Sequence, residues 1–171
     1  MVYLLASVCM TRRSYVGATC EHAGYDARSG KGPWRRCAQH NGHLPGGVER
    51  LRSARPWRVV AWVDGFQTWK HALKFERAWQ MGFRGSSMRH VTQFQPSAGA
   101  MGKLQLLVPL MFHVRPWAYC TLRVHLVGST GANGRMRARE VRWQSALEEA
   151  GVAFDVASDE LAWHAWHPDG A

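Results

Sequence analysis

Acidic residues are missing from the middle of this chain. Residues 81–139 hold eight Lys and Arg and not one Asp or Glu, residues 1–80 hold thirteen bases against five acids, and residues 140–171 reverse the balance with one base against seven acids. A formal net charge of +10 distributed in this way excludes an acidic body and points to a polyanionic partner, because neutralising phosphates releases condensed counterions. Cysteine is scarce as well. The four present, Cys9, Cys20, Cys37 and Cys120, form no Cys-x-x-Cys pair, which excludes a regular zinc finger or a disulfide framework and favours reduced thiols. Cys20, His22, Cys37 and His43 are the alternative zinc set, at a spacing that matches no regular finger. No apolar run approaches the ~18 residues of a membrane span, so no membrane role is expected. The opening Met1–Ser7 stretch has no basic residue before it and is soon followed by Thr11-Arg12-Arg13, so it reads as a strand rather than a leader. There is no internal repeat.

What is present suffices for one domain with an appendage: 171 residues, 46% of them hydrophobic. Val2–Val8 and Ser14–Ala18 read as strands joined through a polar hairpin connection. Gly- and Ser-rich residues 20–33 read as a loop, after which Pro33 opens a helix through His40 that Asn41-Gly42 closes. Residues 42–56, with Gly46-Gly47 and three arginines, read as a basic loop. Trp57–Val63 is the clearest strand, and a helix follows from about Thr68 to Gln80. Lys103–His113 has helical spacing, 121–127 is strand-like, Gly128–Gly134 is a glycine-rich linker and Arg139–Ala150 is helical. The expected divisions are therefore a core over 1–83, a helical extension over 84–127, and a linker with an acidic tail over 128–171.

Hydrolysis of a phosphodiester needs an in-line nucleophile, neutralisation of charge around phosphorus, and help for the departing oxygen. A carboxylate can hold a divalent cation, an arginine can grip non-bridging oxygens in a planar fork, and a tyrosine or histidine can handle the proton of the attacking water. Those groups recur here in order. Tyr3 and Tyr15 stand on neighbouring strands, Arg36 and His40 are four apart on one helix, and Glu76 sits on the next helix. Each alone has a plainer explanation: strand tyrosines pack, a helix glutamate is a solvated face, and an arginine pair is positioning charge. Together they make a candidate site, around which Arg35, Arg50, Arg52, Arg55, Lys70 and Lys74 are candidate DNA contacts.

The same residues carry a family resemblance. Val2-Tyr3-Leu4 and Tyr15-Val16-Gly17 resemble the two strand motifs that name the GIY-YIG endonucleases. Tyr15–Thr19, Arg35–Gly42 (Arg-Arg-x-x-Gln-His-Asn-Gly), Gly46-Gly47, Arg55-Pro56-Trp57, Gly65-Phe66 and Ala72–Gln80 (with Phe-Glu-x-Ala-Trp-Gln) are similar to the nuclease domain of the eukaryotic Slx-type structure-specific endonuclease catalytic subunit. Lys103–Leu107, Pro116-Trp117 and Leu122–His125 extend the likeness to about residue 127.

The resemblance implies an α+β fold, a small three-stranded antiparallel sheet flanked by helices with a helical extension. It implies a nuclear enzyme, or one of the host nucleus if viral, that nicks branched DNA (flaps, forks, junctions) with one divalent ion, Mg²⁺ or Mn²⁺. By position, Glu76 is the implied metal ligand, Arg36 the essential arginine, and Tyr3 the first candidate for activating water, supported by Tyr15 and His40. The segment between Gly17 and Arg36 is longer than this subfamily usually shows, either extending the DNA surface or being a tolerated insertion. The family's cysteine-rich zinc domain, which docks a scaffold protein, is not expected here, since residues 128–171 contain no cysteine; a scaffold partner is not expected either. The acidic tail is either a solvated tail or a segment that folds over the basic cleft and competes with DNA. The alternatives in function are an inactive nucleic-acid-binding module of the same fold and a sequence-specific nuclease.

Overall fold

A computed structural model describes residues 1–20, 31–82, 98–113, 121–128 and 154–158. The strands are β1 (Val2–Ser7), β2 (Ser14–Ala18), β3 (Trp57–Asp64), β4 (Arg123–Gly128) and β5 (Phe154–Ser158), in the sheet order β2-β1-β3-β4-β5. The first four are antiparallel and β5 runs parallel to β4. The expected α+β class is what forms. The three-stranded sheet of the expectation is its β2-β1-β3 end, and the strand-like 121–127 segment joins it as β4. The fifth strand falls inside the stretch expected to be a tail. Its five residues, Phe-Asp-Val-Ala-Ser, are too short for their alternation to stand out, and a parallel strand is found only through the neighbour it pairs with.

Among the described residues four α-helices accompany the sheet: α1 (Gly32–Asn41), α2 (Trp69–Met81), α3 (Gly99–Gln105) and α4 (Leu107–His113). Pro33 lies in the first turn of α1, where its missing N–H costs nothing, and Gly42 ends the helix at φ 88°, a conformation that favours glycine. Thr68 caps α2 by accepting a hydrogen bond from the His71 N–H. Two differences from expectation appear. Glu49–Ala54 in the basic loop winds into a 3-10 helix, and the single helix expected over 103–113 starts earlier and divides into α3 and α4 at Leu106. The readings placed on the 20–33 loop, the 128–134 linker and the 139–150 helix fall wholly or mostly outside the described residues.

The sheet is buried on both faces. On one, Val2, Leu4, Val16, Val60, Ala61, Val63 and Val124 meet Phe75 and Trp79 of α2 and Leu104, Leu107 and Leu110 of α3 and α4. On the other, Tyr3, Leu5, Trp57, Val59 and Trp62 meet Trp34 and Cys37 of α1 and Leu51 of the 3-10 helix. A bulge makes this division possible. The β1–β3 register shifts between Leu4 and Leu5, so Val59 and Trp62, odd and even in number, point to the same side. Lys103 fixes α2 from its far end: its Nζ donates to the carbonyls of Trp79 (2.9 Å) and Gln80 (2.6 Å), while Trp79 Nε1 donates back to the Lys103 carbonyl. A third tie joins β4 to β3, where buried His125 stacks on Trp62 (ring centroids 4.8 Å, 7° between planes) and meets Asp64 at 3.0 Å.

Candidate active site

Tyr3 is the second residue of β1 and has no exposed surface. Its ring lies over Gly17, its partner in the β1–β2 ladder; a Cβ on Gly17 would stand 2.5 Å from the phenol oxygen. The glycine of Tyr-Val-Gly is therefore a steric requirement of the tyrosine across from it. Two residues before Gly17, Tyr15 reaches the same side, its ring 6.3 Å from that of Tyr3 and edge-on to His40 at 5.1 Å.

His40, fully buried on α1, lies 3.1 Å from the Tyr3 oxygen through Nε2, and its Nδ1 accepts a hydrogen bond from the Val48 N–H at 3.3 Å. An Nδ1 that accepts leaves the ring proton on Nε2, so His40 donates to Tyr3. Burial, then the charges of Arg36 and Arg55, lower the histidine to about 4, so it is neutral at physiological pH. Arg36, one turn earlier, makes a long contact from Nε to the same oxygen (3.5 Å), and its Nη1 donates to Gln39 Oε1 at 2.7 Å. With His40 and Arg36 both turned toward it, the Tyr3 oxygen has its acceptor capacity engaged. Burial holds the phenol far above the ordinary tyrosine range; the Tyr15 and Glu76 charges push the same way and Arg36 opposes them.

The Gln-His-Asn-Gly motif is thus one device. Gln39 holds Arg36 and, through Nε2, the Pro45 carbonyl of the following loop (3.0 Å). Asn41 pairs with the backbone of Trp57 as a strand residue would, accepting from its N–H (2.6 Å) and donating to its carbonyl (2.8 Å). Gly42 closes the helix, and Gly47 packs so tightly on the Gln39 carbonyl that a Cβ there would overlap it. Gln39, Asn41 and Gly17 were visible in the motifs, but nothing in their spacing says which side chain each one holds.

Glu76 comes from the opposite face. Helix α2 packs along the edge strand β2, and Gln80 Nε2 donates both to Glu76 Oε1 and to the Val16 carbonyl, each at 3.0 Å. Glu76 is half-buried, its charge reaches Tyr3, and burial raises its own pKa. Among the described residues no cation pairs with it. A desolvated carboxylate without a counter-charge suits a divalent ion, since Mg²⁺ is commonly held by one or two carboxylates plus water and substrate phosphate. No group of three or more His, Cys, Asp or Glu able to hold a metal occurs among the described residues. Of the loose zinc set, Cys37 is buried and donates to the Trp57 carbonyl, Cys20 is an exposed free thiol, and His22 lies outside the described residues.

The other basic residues divide. Arg50 stands over the Tyr15 ring, its guanidinium carbon 5.7 Å from the centroid. Arg35, Lys70 and Lys74 are exposed. Arg52 pairs with Glu49 at 3.0 Å on the surface. Arg55 instead turns inward, its Nε donating to the His40 carbonyl at 2.6 Å, a cation at the C-terminal end of α1.

No protein-family model matches the chain. The two motif strands and the cluster between them correspond to the GIY-YIG type, to which the Slx1 nuclease domain belongs. More particularly, the chain is homologous to structure-specific endonuclease subunits named Slx1. It is 35% identical over 129 residues to that of Schizosaccharomyces japonicus, covering 71% of this chain and 42% of that protein. It is 36% identical over 115 residues to the homolog of Leishmania major (63% and 15%), and 40% identical over 85 residues to that of Candida glabrata (48% and 24%). The chain spans less than half the length of these curated relatives.

Proposed function

We propose that the protein is a divalent-metal-dependent endonuclease that hydrolyses phosphodiester bonds in branched DNA. Homology to proteins named structure-specific endonuclease subunits supports it, and the observation that carries it is the Tyr3–His40–Arg36–Tyr15 cluster, with Glu76 on α2 near enough for its charge to act on Tyr3. A complete site of this kind favours catalysis over a binding module of the same fold. Glu76 would hold a divalent ion, Mg²⁺ or Mn²⁺, which would supply Lewis acidity and charge neutralisation for the hydrolysis. Arg36, its guanidinium aimed by Gln39, binds the non-bridging oxygens.

The two phenols take different parts. Tyr3 is sealed, hydrogen-bonded and hard to ionise, so it aligns His40 and Arg36 rather than exchanging protons with water. Tyr15, partly exposed beneath Arg50, is the phenol placed to orient the attacking water. This departs from the sequence expectation, which put Tyr3 first; a sequence does not report which of two phenols on neighbouring strands is covered. The expected nuclear setting and the substrate class belong to the same proposal.

Residues 154–158 of the acidic segment sit in the sheet beside β4, with three strands between them and β2. That part of the segment does not overlie the cluster, and autoinhibition by it is not proposed. Incubating the protein with labelled flaps, forks, four-way junctions and linear duplex, with Mg²⁺, Mn²⁺ or chelator, tests the reading. Metal-dependent nicks confined to branched substrates are expected; binding without cleavage under every condition makes the chain a binding module.

A further inference from the structure

Besides Met81 at its last residue, helix α2 leaves two large apolar side chains in solvent while burying Ala72, Phe75 and Trp79: Trp69, 44% exposed, and Leu73, 42% exposed. They are not scattered. Residues 69, 73, 76 and 80 share one side of the helix, so Trp69 and Leu73 continue the line that begins with Gln80 and Glu76. Trp69 lies seven residues from Glu76, about 10 Å along the axis at 1.5 Å per residue. On the solvent side of this stripe stand Lys70, Lys74 and Arg77, all exposed and none paired with an acid among the described residues. An exposed aromatic in line with the candidate metal-ligand carboxylate and alongside a basic band has the composition of a surface that stacks on a base and holds the adjoining backbone.

We infer that Trp69, backed by Leu73, stacks on the base pair left exposed at a DNA branch point, with Lys70, Lys74 and Arg77 on the flanking phosphates. The inference rests on the function proposed above and adds the specificity-determining element. Continuous duplex has no exposed pair face to offer; a flap, fork or junction has one. The stripe thereby distinguishes branched from linear DNA without reading sequence, and the helix rise sets a fixed distance between the branch and the cut.

The test is fluorescence of 2-aminopurine at the branch-adjacent position of a flap, with full-length protein in chelator, alongside cleavage rates for flap and linear duplex in Mg²⁺. Wild-type binding is expected to change the emission at least two-fold. Trp69→Ala should abolish that change and weaken flap binding about tenfold while leaving linear-duplex binding within two-fold. Trp69→Lys, which adds a phosphate-binding cation, should still lack the emission change, and Leu73→Ala should show a smaller loss in the same direction. If Trp69→Ala and Trp69→Lys keep the wild-type emission change and flap-to-linear ratio, the stacking role is overturned and the stripe is left for a protein partner. If the wild-type chain itself shows no preference for branched DNA, the proposed function fails and this inference with it.

Discussion

Gly17 faces Tyr3 across the β1–β2 ladder at a distance that leaves no space for a methyl group. The backbone of Gly17 does not require glycine; the phenol opposite does. Gly17→Ala should therefore force the Tyr3 ring off His40 and Arg36, lowering stability by about 1–3 kcal/mol, as overpacking a buried site does. Nicking should fall further than the melting shift explains. Thermal denaturation and single-turnover cleavage on one preparation check this; a fully active Gly17→Ala chain means that the Tyr3 ring tolerates displacement.

Gln39 fixes Arg36 through a 2.7 Å hydrogen bond. Bonds to charged groups contribute about 1.5–3 kcal/mol, so Gln39→Ala should cost roughly 10- to 100-fold in kcat/KM. Gln39→Glu, which keeps an acceptor, should recover part of it. A helix-packing role alone would give a melting shift with no such recovery.

Arg55 and the lysines of α2 look alike in the sequence and differ in place. Arg55→Ala should act mainly on stability, because it strips a cation from the His40 carbonyl at the end of α1. Lys70→Ala and Lys74→Ala should leave melting unchanged and reduce the salt dependence of DNA binding by roughly one counterion each. Binding isotherms at several salt concentrations separate the two behaviours.

His40 gives the fold a pH dependence of definite sign. Its folded pKa, about 4, lies below the ordinary 6.5, so the unfolded chain takes up the proton first as pH falls. Stability should be fully present above pH 6.5 and drain away between there and about 4, by about 3 kcal/mol from this group. In His40→Gln that contribution should vanish, visible as a flatter dependence of the denaturant midpoint on pH.

Most of the framework was legible in the sequence because it depends on local signals. Pro33 and Gly42 bracket α1, Thr68 caps α2, and β-branched and aromatic content marks β1 and β3. The candidate site was legible as a set because Tyr3, Tyr15, Arg36, His40 and Glu76 occur in order on successive elements. What was not legible depends on tertiary contact. No local feature says that Tyr3 is sealed and Tyr15 open, that Arg55 turns inward, or that Gln80 links Glu76 to β2. The fifth strand escaped for the same reason, since a short parallel strand is defined by the neighbour it finds.

The account turns on Glu76, whose burial raises its pKa and whose ionised form therefore costs the fold stability at neutral pH. Cleavage of a branched duplex by Glu76→Gln in Mg²⁺, measured with its melting temperature with and without the ion, is the most direct test. The expected result is at least a thousandfold loss of nicking, a melting temperature equal to or above wild type, and no rise on adding Mg²⁺ where the wild-type chain does rise. A Glu76→Gln chain that nicks at the wild-type rate, or gains the same thermal stability from Mg²⁺, would contradict it.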